Sequence, residues 1–356
     1  MRAIAATGVP VGADAAHGSA RAGEASGRGP DAPASPAIAS ARGVNGPGHG
    51  HGEAVLHDGD EGAVAAAAPV LRAALERGDA VVLGCAEPRL SLLSAAVGDD
   101  PRLVVLPPQE VWRRPVPAIA TYLGMVERQT ATGRSLCVVT DSEFGSGPVE
   151  WSEWARFEAA SHALTEHYPV DRYCLLDRRR APGDVLDAAR RLHPVVWRTG
   201  VPEPSPAYET AAESVHRYGY VAADPMEAGV PTVRLADVTA ATDLLSMRRA
   251  LSGALARAGL PPWQAHEFLL AAGEVASNAL RHGRAPVAVR LWTSARRLLC
   301  TVTDRGSGFD YPLSSYLAPD PARGGLGLYL ARQLCDQLNV CWTPDGFTVR
   351  LALVLD

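Results

Sequence analysis

Glu274 and Asn278 stand four residues apart in the stretch EVASNALRHG, residues 274–283. On a helix that spacing puts both side chains on one face. A carboxylate there can accept the proton of an attacking hydroxyl, and an asparagine carbonyl oxygen can complete the oxygen shell that Mg²⁺ demands. The pair would serve a nucleotide site. A second feature, DRGSG, sets Asp304 at a strand end ahead of Gly306 and Gly308. Its carboxylate can take a hydrogen bond from an exocyclic amine such as that of adenine, while glycines let the backbone approach a flat base. A third, GGLGLYLARQL, puts Gly324, Gly325 and Gly327 at the start of a helix, where free N–H groups and the positive dipole end suit phosphate oxygens. The lysine and spacing of G-x-x-x-x-G-K are absent, which excludes a P-loop. Each feature alone has an ordinary explanation: a solvated helix face, a hairpin bulge, a helix start. Three in this order make a specific signal.

The elements that must carry these residues are legible around them. In ATDLLSMRRALSGALARAGL, Leu244, Met247, Leu251 and Leu255 recur at helical spacing, with Thr242 or Asp243 as the N-cap and Gly259 closing the helix. The next helix starts on prolines and ends at Gly283, a residue suited to a left-handed C-cap, and Phe268, Ala272, Val275 and Ala279 form its core stripe. PVAVRLW, RLLCTVTD and FTVRLALVL alternate in strand fashion, most cleanly at Phe347, Val349, Leu351 and Leu353. Arg248 and Arg249, exposed beside the stripe of the first helix, could contact a partner or a phosphate, or simply be solvated.

Upstream the rhythm differs. Short apolar runs, AVVLG at 80–84, LVVL at 103–106, LCVVT at 136–140, RYCLLD at 172–177 and PVVW at 194–197, alternate with helical stretches, the pattern of βαβ units and a mainly parallel sheet. Residues 1–52 are dominated by Ala, Gly, Ser and Pro, too poor in large apolar side chains to offset the entropy of ordering, and read as a disordered tail. Prolines in RTGVPEPSPAYETAAES mark a linker placed at 207–230. The expected division is therefore 1–52 tail, 53–206 first domain, 207–230 linker and 231–356 second domain.

With 356 residues, 47% of them hydrophobic, the chain can build more than one core. A net charge of −5 and the lack of a Lys/Arg cluster interleaved with aromatics argue against a nucleic-acid binder. The six cysteines show neither a C-x-x-C pair nor His/Cys ligand spacing, and suit buried thiols in a reducing cytoplasm. No apolar run approaches the roughly 20 residues that span a bilayer, and the N-terminus shows no signal-peptide core. A cytoplasmic protein without membrane attachment is expected.

Residues 231–356 resemble the histidine-kinase-like ATPase superfamily, with an N box (Glu274, Asn278, His282, Gly283), a first glycine box (Asp304, Gly306, Gly308) and a second (Gly324, Gly325, Gly327). Within it the compact form is similar to the anti-sigma-factor serine kinases. The resemblance implies an α/β sandwich of the Bergerat type binding ATP and Mg²⁺. It implies Asn278 on the metal, Glu274 as general base and Asp304 on adenine, and a lid from about Phe309 to Arg323. It also implies a sigma factor and an anti-sigma antagonist as partners, a homodimer being a further option.

Residues 53–206 resemble the MEDS sensory domain on EAVLHDGDE, RFEAASH, YCLLD, RRLHP and PSPAY, which carry Glu158, Cys174, Asp177 and His193. That resemblance implies a degenerate RecA-like α/β sheet, non-hydrolysing because GCAEPRLS, taken as the turn after the first strand, has no lysine. His57 and His162 depart from the family, where an aromatic and an asparagine are usual. Cys174 and His193 are open to two readings, metal ligands or a buried thiol with a helix-ending histidine. The fold class expected is thus α/β and α+β in two domains. The function expected is an ATP-binding anti-sigma factor with serine/threonine-protein kinase activity. The alternatives are a sensor histidine kinase, weakened because His216 lies in no long heptad pattern, and a nucleotide-binding module without turnover.

Overall fold

A computed structural model describes residues 52–106, 115–141, 148–220, 223–308, 313, 316 and 326–355. The tail expected over 1–52 lies outside them except for Gly52, which opens the first strand. Strands β1 (Gly52–His57), β2 (Ala80–Gly84), β3 (Leu103–Val105), β4 (Leu136–Asp141), β5 (Val170–Asp177), β6 (Val195–Arg198) and β7 (Val201–Pro204) form one sheet in the order β3-β2-β4-β5-β1-β6-β7. All neighbours are parallel except β6 and β7. Helices α1 (Gly59–Arg77), α2 (Arg89–Val97), α3 (Pro115–Ala131), α4 (Pro148–Thr165) and α5 (Gly183–Leu192) cover its two faces. The alternation of side chains decides the assignment: Ala54, Leu56, Cys174 and Leu176 pack with Trp154, Phe157 and Val185, whereas Val55 and Leu175 pack with Val70, Leu71 and Ala74 of α1.

The first strand is one that the apolar runs do not reveal. β1 is central and wholly buried, but it carries Glu53 and His57 near its ends, so its hydrophobic signal is only three residues long. Consequently GCAEPRLS follows the second strand, and the turn after the first is His57-Asp58-Gly59. Glu53 is accommodated by Trp197, whose indole N–H donates to its carboxylate from the neighbouring strand.

The C-terminal sheet is antiparallel throughout, in the order β11-β12-β10-β9-β8, from β8 (Val233–Val238), β9 (Val287–Thr293), β10 (Arg297–Asp304), β11 (Gln337–Thr343) and β12 (Gly346–Val354). Helices α7 (Asp243–Arg257), α8 (Pro262–His282) and α9 (Leu326–Leu334) lie on one face. The stripe Phe268, Ala272, Val275 and Ala279 is buried there against Val289, Cys300, Val302 and Leu351. Asp243 does not cap α7 from outside; its carboxylate sits in the first turn and accepts from the backbone amides of Thr239 and Ala240.

The segment expected as a linker, 207–230, carries a helix and a 3₁₀ turn in its described residues, 207–220 and 223–230. Helix α6 (Ala211–Gly219) starts on a Thr210/Glu213 capping box and buries Val215 among α4 and α5. A 3₁₀ turn at Pro225–Ala228 then covers the second face of the antiparallel sheet. Met226 packs on Trp292, Leu299 and Ala352, Arg350 pairs with Glu227, and Arg297 lies 2.7 Å from Asp224. Prolines shape this turn without interrupting packing, which is why their count did not betray it. Helix α4 of the first half touches the second: Asn339 Nδ2 donates to Glu153 of α4 at 3.2 Å, and Leu313 and Tyr316, from the segment expected as a lid, are buried with Trp154 and Phe157.

Candidate functional site

Helix α8 presents Glu274 and Asn278 side by side, both half-buried, while Ala271, Ala272, Val275 and Ala276 hold the opposite face in the core. Small residues let α9 approach. An ideal Cβ built on Gly327 of α9 would fall 2.6 Å from Oε2 of Glu274 and 3.1 Å from Nδ2 of Asn278. The second glycine box thus meets the N box through Gly327. Gly324 and Gly325 lie outside the described residues.

The first glycine box meets the C-terminal end of the same helix. Asp304, buried at the end of β10, accepts at Oδ1 from the backbone amides of Gly306 at 2.6 Å and Arg284 at 3.2 Å. Gly283 must be glycine for a reason other than a left-handed cap. Its φ of −87° is ordinary, but an added Cβ would lie 2.3 Å from Asp304 Cγ and 2.6 Å from the Ala279 carbonyl. Gly306 is similarly hemmed in, its Cβ position 2.7 Å from Asp304 Oδ1. Gly308 is required on both counts, with φ of +71° and Phe347 at 2.2 Å. His282 is exposed in the last turn of α8.

Sequence reasoning missed Gly346. It has φ of +134°, and a Cβ there would meet the Asp304 backbone carbonyl at 1.9 Å, so it brings the start of β12 against the backbone that carries the site's carboxylate. The signal available was the glycine that opens the strand FTVRLALVL. Taken together, these contacts gather Glu274, Asn278, Gly283, Asp304, Gly306, Gly308 and Gly327 around one end of α8. The donors and the glycine-kept spaces fit a magnesium nucleotide: an amide oxygen for the cation, a carboxylate held by backbone amides for a base amine, and a helix start for phosphate.

A second polar group lies in the parallel-sheet half. Glu158 and His162 of α4, Cys174 of β5 and His193 after α5 are all buried, with one ligand atom of each within 4.8 Å of the others. Burial drives both imidazoles below the usual histidine range, His193 to about 3, and pushes the Cys174 thiol up. Cys174 and His193 stood as possible metal ligands in the sequence, but nothing there joined them to Glu158 and His162; the signal for that second pair was its i, i+4 spacing in EAASH.

Residues 238–353 match the family described as Histidine kinase-like ATPase domain, and residues 53–194 match MEDS, the MEthanogen/methylotroph, DcmR Sensory domain. The chain therefore carries a histidine kinase-like ATPase domain preceded by a MEDS domain. Among curated proteins it is similar to the serine-protein kinase RsbW of Bacillus pumilus, 29% identical over 126 residues, 31% of this chain and 77% of the relative. The serine-protein kinases RsbW of Bacillus velezensis and Bacillus subtilis are 29% and 28% identical over 124 residues each, again 31% of this chain and 77% of the relative. Among the described residues, no helix is long and apolar enough to cross a membrane.

Proposed function

We propose that the chain is an ATP-dependent serine/threonine-protein kinase that acts on an anti-sigma antagonist and sequesters a sigma factor, under the control of its N-terminal domain. The observation that carries the reading is the placement of Glu274 beside Asn278 and against Gly327, since a carboxylate next to a metal-ligating amide is what hydroxyl phosphorylation needs. Asn278 would hold Mg²⁺, Asp304 the base amine and the start of α9 the phosphates. When bound, ATP with Mg²⁺ supplies the phosphoryl group and neutralises its charge. Glu274 orients the incoming serine or threonine hydroxyl and takes its proton. Control by the N-terminal domain is supported by α4, whose Glu153 accepts from Asn339 of the ATPase sheet and whose Trp154 packs with Leu313 and Tyr316.

The test is a labelled phosphate-transfer assay on a candidate antagonist beside an equilibrium ATP titration. Glu274→Gln is expected to lower transfer by about 10² to 10⁴ with ATP affinity nearly unchanged. Asn278→Ala is expected to abolish Mg²⁺-dependent binding. Acid-labile label on the chain itself points instead to a histidine kinase. Tight ATP binding with no transfer to any partner points to a nucleotide-binding module.

A further inference from the structure

We propose that Glu158, His162, Cys174 and His193 form a buried site for a divalent transition metal, best suited to Zn²⁺, inside the MEDS domain. The four residues come from three elements that the parallel sheet brings together. Glu158 and His162 lie one turn apart on α4, Cys174 projects from β5 toward that helix, and His193 ends α5. Their exposures are 3%, 7%, 3% and 0% in the order named, so the group is sealed from water.

The orientation of the two imidazoles carries the inference. His162 Nδ1 lies 3.0 Å from the Leu192 carbonyl oxygen and His193 Nδ1 lies 2.9 Å from that of Ala189. A carbonyl only accepts, so each Nδ1 bears the proton and each Nε2 is left with a bare lone pair. Both Nε2 atoms are buried without a hydrogen-bond partner. They face the same carboxylate oxygen, Glu158 Oε2, at 3.4 Å for His162 and 4.0 Å for His193. Lone pairs converging on a carboxylate in a dry interior repel unless a cation lies between them. Backbone carbonyls fixing the outer ring nitrogen of a ligating histidine are also the usual outer support of a metal site.

The donor set and its dimensions agree. Cys174 Sγ lies 3.4 Å from Glu158 Oε2. Tetrahedral zinc with bonds of about 2.0–2.3 Å sets its ligand atoms about 3.3–3.6 Å apart, so closing the present spacings takes shifts of under about 1 Å. One thiolate, two imidazoles and one carboxylate make a closed, mixed S/N/O shell, which selects zinc over magnesium or calcium. Binding breaks the S–H bond of Cys174, releases its proton to solvent and forms the metal–sulfur bond. The charges of thiolate and carboxylate then balance the cation. Without metal, the thiol can only donate to Glu158, and the two Nε2 atoms stay unsatisfied.

The full chain, purified and stripped with a chelator, is titrated with Co²⁺ and then with Zn²⁺. The expected result is one Co²⁺ per chain with tetrahedral visible bands and a thiolate-to-cobalt charge-transfer band, displaced by Zn²⁺. Cys174→Ser, close in size, should lose the charge-transfer band and weaken binding at least about tenfold, with the circular dichroism of the fold retained. His193→Asn should weaken binding without removing the sulfur band. His49 and His51 in the N-terminal segment give no thiolate band, so the readout separates them from this site. The proposal is overturned if wild type shows no such band at one equivalent, or if the band persists in Cys174→Ser.

Discussion

Gly327 of α9 and Glu274 of α8 are so close that a methyl group on the first would touch the carboxylate of the second, at 2.6 Å. The atom it would meet is the tip of a flexible side chain, so Gly327→Ala should fold, with its melting temperature moved by no more than a few degrees. Yet the carboxylate must turn aside. A misplacement of about 1 Å costs on the order of 10²-fold in a reaction that depends on alignment, so phosphate transfer should fall far more than ATP affinity. Transfer rates and binding isotherms of the same preparation check this.

Gly283 and Gly259 make a contrasting pair. Alanine at Gly283 meets Asp304 and the Ala279 backbone, and neither can yield cheaply. Gly283→Ala should therefore weaken ATP binding at least about tenfold, by pushing Asp304 out of its bonds to Gly306 and Arg284. Gly259 has φ of +77° and open space around it. Gly259→Ala should cost about 1–2 kcal/mol through left-handed strain and leave ATP binding unchanged. Urea unfolding and nucleotide titration of both variants distinguish a steric requirement from a conformational one.

Arg350 is 2% exposed and paired with Glu227 on the 3₁₀ turn that covers the outer sheet face. Glu227→Ala removes the carboxylate that pairs with this buried cation. A loss of about 3–5 kcal/mol is expected, together with faster amide exchange over residues 224–230. A change below about 0.5 kcal/mol would mean that the turn adds little to the fold.

Glu53 gives the parallel-sheet half a pH dependence. Burial raises its pKa from 4.5 to about 7, against the lowering effect of the Trp197 hydrogen bond. The folded chain then holds a proton that the unfolded chain releases between those values. This contribution to stability is complete below about pH 4.5 and is lost as pH rises toward 7, by at most about 3 kcal/mol. Urea unfolding of wild type and Glu53→Gln at about pH 5 and about pH 8 should show wild type losing ground to the variant at the higher pH. An equal gap at both would show that Glu53 does not titrate in that window.

The sequence by itself determined the features that depend on near neighbours in the chain. Helical stripes such as Phe268, Ala272, Val275 and Ala279, and the alternation in β12, follow from 3.6- and 2-residue periods. The acid, amide and glycine clusters announce themselves by spacing. The parallel character of the first sheet followed from runs alternating with helices.

Tertiary structure decided what depends on residues far apart in the chain. β1 looks too polar to be a central strand until Trp197 is seen to satisfy Glu53 across 144 positions. The 3₁₀ turn at 225–228 looks like a linker until Arg350, 123 positions on, pairs with Glu227. Gly283 has an unremarkable backbone, and only Asp304 packed against it forbids a side chain. The same holds for His162 and His193, whose Nε2 atoms converge only because the sheet sets α4 beside the end of α5. Periodicity is a local property of the chain, whereas steric room and the satisfaction of buried polar atoms are set by whatever packs on the other side.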